Sequence, residues 1–359
     1  MGLFSKKTFV GIDLGSHSLK VVQMERAGVG WKITRQGVAP TPPETMKDGV
    51  VIDHETLGAT LKEVLRTAGI TATSAHIAAA GASVFVRVVP FPKMPEAVLR
   101  KSIKYEASRY VPGSVEDSYI EFEILGPINE TQMNVLIAAA PKDIVESRIR
   151  TCAAAGLEVE SVDIEVFAMY RAMLETSPEF DPTDVALAMV DIGASSTTVS
   201  VLHNGVFVMN RSIPNGGRAL TEVLKKRFKL EDEDAESGKS QLDLRKISDP
   251  EALAANPPLK VIQPQVDELV REIKRSLNYF QSQQTDNAEG KQVERLVLSG
   301  GGAKLTGLPE YLAEKLGLPV DSQGLYQNPR MMPSSVDSED GLELAVASGL
   351  ALRAYGKAA

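Results

Sequence analysis

The 359-residue chain has one cysteine, Cys152, so it cannot carry an intrachain disulfide framework. Its setting, "IRTCAAAG", reads as a helix end, with no histidine or asparagine close by in sequence to activate the thiol; a small buried hydrophobe is expected. Long apolar runs are missing too. The stretch "MNVLIAAAP" is far too short to cross a bilayer, and "MGLFSKKTFV" has neither the apolar core nor the cleavage site of a signal peptide. Lys6 stands where a myristoylation signal wants Ser or Thr. A cytoplasmic body is expected, touching an anionic membrane at most weakly through "LFSKK". Aromatic residues are only 5% of the chain, and the formal net charge is -8 with no long Lys/Arg block, so nucleic acid is not expected as the main partner.

What the chain does have is alternation of strand and helix signals over a length that can bury two or more cores. "FVGIDLGSHSLKVVQM" (Phe9–Met24) is a strand that stops at Asp13, a tight turn, and a strand that restarts at Leu19. A third strand around Trp31–Val38 precedes "HETLGATLKEVLRTAG", whose Leu57, Leu61, Val64 and Leu65 form one helical stripe. From Ser83 the order changes. An alternating strand breaks at Pro90, Pro92 and Pro95, a helix runs to Pro112, "SYIEFEIL" and "QMNVLIAAAP" follow as a strand pair, and Lys142–Gly156 reads as another helix. This predicts a small inserted α+β subdomain over about 83–165, with the first large domain formed by 1–82 and about 166–184.

At Val185 the opening pattern returns. A shift of 178 residues carries Asp13 onto Asp191, Gly15 onto Gly193, Ser18 onto Ser196 and Val21 onto Val199. A second, similar domain over 185–359 is the economical reading. It includes a helical and acidic subdomain over about 218–290, where "KLEDEDAESGKSQLD" reads as a surface excursion and Val266, Leu269, Val270, Ile273, Leu277 and Phe280 form a core stripe. "VERLVLSGGGAKLTGLPEYLAEKLGLPV" is then a strand, a glycine turn and a helix, and "DGLELAVASGLALRAYG" is a closing helix rich in small residues.

Three glycine- or hydroxyl-rich turns, "DLGSHS", "DIGASS" and "SGGGAKLTG", each follow a strand. Such turns expose backbone N–H groups that suit anions. None matches the P-loop or the G-x-G-x-x-G fingerprint. Two carboxylate turns near one triphosphate would repel it without a cation and hold Mg²⁺ through its waters with one. His17 is expected to face outward.

These segments resemble the actin-like ATPase superfamily and, within it, the PilM family of type IV pilus assembly, relatives of the cell-division protein FtsA. "GIDLGSHSLKVV" resembles the first phosphate segment, "MVDIGASSTTVSVLHNGVF" the second and "LVLSGGGAKLTGL" the adenosine segment. "PKMPEAVLRKSIKYEASRYVP", "APKDIVESRIRTCAAAGLEVESVDIEVFAMYRA" and "REIKRSLNYFQ" resemble PilM where other actin relatives differ. The resemblance implies an α/β, actin-like two-domain fold with duplicated nucleotide-binding halves and an inserted small α+β subdomain. It implies ATP with Mg²⁺ as ligands. Asp13 and Asp191 would organise the Mg²⁺ waters, Gly15, Ser16, Ser18 and Lys20 would hold phosphates from one side, and Gly193, Ser195, Ser196 and Thr197 from the other. Gly216 and Gly217 would lie near ribose and phosphate, Gly301, Gly302 and Lys304 would line the nucleoside, and Glu236 and Lys239 of "DAESGK" would approach ribose and base. Gly238 replaces a leucine of that element, which weakens its helix by about 1 kcal/mol. No residue is assigned to position a hydrolytic water, so turnover is expected to be slow.

FtsA carries an amphipathic membrane helix at its C-terminus, whereas this sequence stops at "LALRAYGKAA", so recruitment through a protein is expected. The resemblance implies the cytoplasmic N-terminal peptide of a PilN-like protein, which continues in the periplasm with PilO. A groove with Phe85, Arg87, Val88, Val89, Phe91, Lys101 and Lys104 is the expected contact region. An actin-fold small-molecule kinase and a filament-forming actin homologue are the alternatives, the latter including self-association.

Overall fold

Asp13 lies one residue from the end of a buried strand, β1 (Phe9–Leu14), and the chain doubles back as β2 (Ser18–Ala27) and β3 (Gly30–Pro40). The computed structural model describes residues 8–181, 186–283, 292–322, 324–333 and 341–356. The "LFSKK" contact falls outside them. A short hairpin, β4 (Met46–Lys47) and β5 (Val50–Val51), leads into α1 (His54–Thr67), whose N-terminus is capped by the Asp53 carboxylate accepting from Thr56 N–H. β6 (Ser74–Ala79) then runs parallel to β1.

β7 (Phe85–Pro92), α2 (Glu96–Ala107), β8 (Ser118–Pro127) and β9 (Gln132–Pro141) form a separate three-stranded sheet, ordered β7-β9-β8, with α2 on one face. α3 (Lys142–Ala154) and β10 (Glu158–Ile164) follow, then α4 (Glu165–Tyr170) and a π-turn over Arg171–Glu175. β10 pairs in parallel with β6, and Cys152, Ala155 and Leu157 pack with Leu57 and Leu61 of α1 against Val10 and Ile12. The inserted subdomain therefore ends near Pro141 and not near residue 165. The segment after it carries the apolar face that covers the first sheet. Cys152 is buried as expected, and desolvation pushes its thiol up to about 12.

The second unit opens with β11 (Ala186–Ile192), β12 (Thr197–His203) and β13 (Val206–Ile213), all antiparallel neighbours. α5 (Gly217–Phe228), α6 (Asp232–Ser240), α7 (Pro250–Ala254) and α8 (Pro257–Ser282) follow. The six stripe residues of α8 are all buried. The acidic stretch is not a bare loop, because α6 buries Ala235 and Lys239. β14 (Arg295–Ser299) returns parallel to β11, and α9 (Leu308–Leu316) leads to β15 (Val320–Asp321). The two large sheets share one plan: order β10-β6-β1-β2-β3-β16 in the first and β13-β12-β11-β14-β15 in the second, with Asp13 opposite Lys20 and Asp191 opposite Thr198.

β16 (Met331–Met332) and α10 (Ala345–Leu352) belong to the first unit. The chain divides into Met1–Phe180 with Leu325–Glu339 and Leu344–Ala359, and Asp181–Gly324 with Asp340–Glu343. The expected second domain over 185–359 is corrected accordingly. The reason is steric fit: α10 is made of small and apolar residues that the first unit needs as cover. A Cβ on Gly11 would lie 2.0 Å from the Ala347 carbonyl oxygen, and one on Gly349 would lie 1.7 Å from that of Ala168. Among the described residues no helix is long and apolar enough to cross a membrane.

Candidate functional site

In the first unit the turn after β1 is held from behind. Thr41 donates its hydroxyl to the Gly15 carbonyl at 2.6 Å, and its N–H to the His17 carbonyl at 2.9 Å. Thr41 carried no motif signal, since its part in the site comes from the third strand ending beside the turn. Asp13 is buried, and the Lys20 ammonium sits 3.0 Å from its carboxylate, the two being cross-strand partners. Lys20, expected on phosphate, thus spends its charge on Asp13 in this structure. Ser16 and Ser18 are half-exposed and His17 faces solvent, as expected. β1, β6 and β10 are parallel, so Asp13, the loop after β6 and Glu165 at the start of α4 gather at one sheet end, where α/β folds place ligands.

The second unit brings together more of the expected residues. The turn closes through Gly193 N–H donating to the Ser196 carbonyl, with Ser195 exposed at its tip. α5 begins directly against it: Gly217 N–H donates to the Gly193 carbonyl and Arg218 N–H to that of Ala194, both at 2.9 Å. A Cβ at Gly216 would lie 2.5 Å from the Gly193 oxygen, so only glycine lets α5 start there. The first amides of α5 are therefore committed to the turn. Thr197 is corrected as a phosphate donor, because it is fully buried and its hydroxyl donates to the Asn215 carbonyl at 2.7 Å.

The glycine turn after β14 meets the same carboxylate. Gly300 has φ 86° and its missing Cβ would lie 2.8 Å from Asp191 Oδ1 and 2.5 Å from the Ile192 carbonyl oxygen. Gly302 abuts Ile192, Gly301 is exposed, and Lys304 pairs with Glu343 at 3.0 Å. Glu236 and Lys239 project from α6 toward the start of α5. Lys239 Nζ donates to Thr221 Oγ1 at 3.0 Å, to the Gly217 carbonyl at 3.3 Å and to Glu236, whose other oxygen accepts from Thr221 Oγ1 at 2.6 Å. An ammonium has three donors, and all three are used. Lys239 consequently fastens α6 to α5 and is corrected as a contact to a base.

These carboxylates, hydroxyls and close-packed backbone turns fit a phosphate ligand with Mg²⁺. Gly300 and Gly216 let the turn backbones pack closely, Gly300 against Ile192 and Asp191 and Gly216 against Gly193 and Ala194. Among the described residues no group of three or more His, Cys, Asp or Glu side chains could hold a metal ion.

In the inserted subdomain the proposed contact set divides. Val89 and Phe91 are 2% and 1% exposed and pack with Leu99 and Ile103 of α2, so they are corrected as partner contacts. Val89 and Phe91 stand two residues apart on β7 and so share the face that α2 covers. Phe85 and Val88 are half-buried, and Arg87, Lys101 and Lys104 are exposed, with Lys104 3.5 Å from Glu116.

A family model described as "Type IV pilus assembly protein PilM" matches residues 11–355. A solved structure, the "PilM-PilN type IV pilus biogenesis complex", superposes with TM-score 0.81 at 28% identity, covering 96% of this chain and 98% of that one. MreB 5 of Spiroplasma citri bound to AMPPNP has the same fold, with TM-score 0.53 at 12% identity over 98% of this chain and 97% of that one. Cell division protein FtsA of Bacillus subtilis is 24% identical over 265 residues, which are 66% of this chain and 58% of FtsA. The chain thus spans less than two thirds of that relative's length.

Proposed function

The chain belongs to the family of type IV pilus assembly protein PilM, and from that premise we propose that it is a cytoplasmic ATP-binding scaffold recruited to the inner membrane by a PilN-like protein. The observation that carries this reading is the likeness to the PilM-PilN complex across nearly the whole of both chains. ATP with Mg²⁺ is the ligand of the two carboxylate turns. Asp13 and Asp191 face the hydrated cation, the turn backbones with Gly15, Ser16, Ser18, Gly193, Ser195 and Ser196 face phosphates, and Gly301, Gly302 and Lys304 face the nucleoside.

Cytoplasmic segments beside a membrane span carry excess Lys and Arg, but their apolar residues are what a half-buried surface captures. Phe85, Val88, Arg87 and Lys101 of the inserted subdomain supply apolar contact with a charged rim for such a segment. The test is titration of the full chain with a synthetic peptide from the cytoplasmic N-terminus of its PilN-like partner, with and without MgATP. V88D is expected to weaken binding by about tenfold, the effect of roughly 1.4 kcal/mol, while leaving ATP affinity unchanged. No binding at high micromolar peptide under either condition would sink the recruitment reading.

A further inference from the structure

Arg148, on α3, is 2% exposed, and among the described residues it makes no ion pair. Its hydrogen bond goes to the carbonyl of Gly49 in the turn of the β4–β5 hairpin. The neighbouring Ser147 Oγ accepts from Val51 N–H at 3.2 Å, so α3 grips that hairpin at two places. Gly49 in turn lies against the loop that follows β6, its Cβ position 3.0 Å from the Ala80 oxygen. β6 is the parallel neighbour of β1, so the guanidinium lies at the sheet end where Asp13 and Glu165 gather. Burial pushes Arg148 down from its usual range, while Glu165 and then Asp13 pull it back.

A buried guanidinium with a lone carbonyl partner is costly unless other negative charge offsets it. Lys20 already occupies Asp13, and an arriving nucleotide adds several more negative charges than Lys20 can balance. We propose that Arg148 is a positioning residue of the first carboxylate turn, a buried counter-charge for the phosphates bound there. It acts through the field at the sheet end, without touching the ligand, and it keeps the hairpin seated through Gly49. The inference rests on the nucleotide reading of the site.

The sign of the effect separates this role from a structural one. Metal-free ATP carries more negative charge than MgATP, so removing a positive charge must weaken metal-free ATP more. Removing the Asp13 charge must do the reverse. Calorimetric titration of the full chain with ATP, in Mg²⁺ and in EDTA, would be run on wild type, D13N, R148K and R148M. R148M is expected to lose about tenfold for metal-free ATP and less for MgATP, D13N to show the opposite order, and R148K to stay within about threefold of wild type in both. Equal losses for the two ligand forms in folded R148M, or no loss, would overturn the proposal. If R148M does not fold, R148K decides alone: an equal tenfold loss in both forms would mean a packing role only. A wild-type chain that binds neither form overturns the nucleotide reading itself, whereas binding indifferent to Arg148 overturns only this inference.

Discussion

Gly300 and Gly301 are neighbours in "SGGGAK" and obey opposite constraints. Gly300 has a left-handed φ of 86° and no room for a Cβ beside Ile192 and Asp191, whereas Gly301 has nothing within 4 Å of its Cβ position. G300A is expected to destabilise the second unit by about 2–4 kcal/mol through strain and a backbone clash, and G301A by less than about 1 kcal/mol. Urea unfolding followed by circular dichroism measures both, and equal effects would contradict the close approach of the two turns. Lys239 makes a related point. A lysine in a stretch as acidic as "EDEDAESGK" looks solvated in sequence, yet its ammonium is buried with all three donors engaged.

At the scale of elements, α6 forms in spite of its glycine. Its N-terminal turn holds Asp232, Glu233 and Asp234, which suit the positive end of the helix dipole, and its apolar anchor is the buried Ala235. Gly238 is exposed with open space around it, so no packing demands glycine or a leucine there. G238A is expected to raise the stability of α6 by about 0.5–1 kcal/mol, the difference in helix propensity. Amide exchange across residues 232–240 should slow correspondingly, and faster exchange would show that the glycine relieves a strain. β7 shows how elements sort side chains. Val89 and Phe91 are buried under α2, while Arg87, two residues before Val89 on the same face, is exposed, so a list of neighbouring apolar residues is not yet a binding surface.

Across the whole molecule, the same strand plan is used twice, and each copy places an aspartate near the end of its first strand. The first copy is completed only by the end of the chain. α10 lies under β1 and packs with the only tryptophan, Trp31, through Ala347 and Ala351. Beside it Asp163 accepts from both Arg171 and Arg353, at 3.0 and 2.9 Å, which ties β10 to the π-turn and to the segment after α10. G349A would drive a methyl into the Ala168 carbonyl, and is expected to destabilise the first unit by about 3 kcal/mol or more. Trp31 fluorescence reports that unit, so the urea midpoint read by it should fall. An unchanged midpoint would mean that α10 does not clamp the first sheet.

The sequence by itself determined the strands β1–β3, β7–β9, β11, β12 and β14, the helical stripes of α1 and α8, the duplication and the placing of both aspartates at strand-to-strand turns. Those features are local, or repeat at a fixed offset, so period and spacing reveal them. Tertiary structure alone decided which unit owns α10, that α3 and β10 belong to the first sheet, and that Thr197 and Lys239 turn their polar atoms inward. It also seated the Arg148 guanidinium on the turn of the β4–β5 hairpin. Each of these depends on residues far apart in sequence meeting in space: the Ala168 carbonyl against Gly349, the Asn215 carbonyl against Thr197, the Gly49 carbonyl against Arg148. The free energy that settles them is that of filling a particular cavity or satisfying a particular buried donor, and no pattern along the chain records where that partner will be.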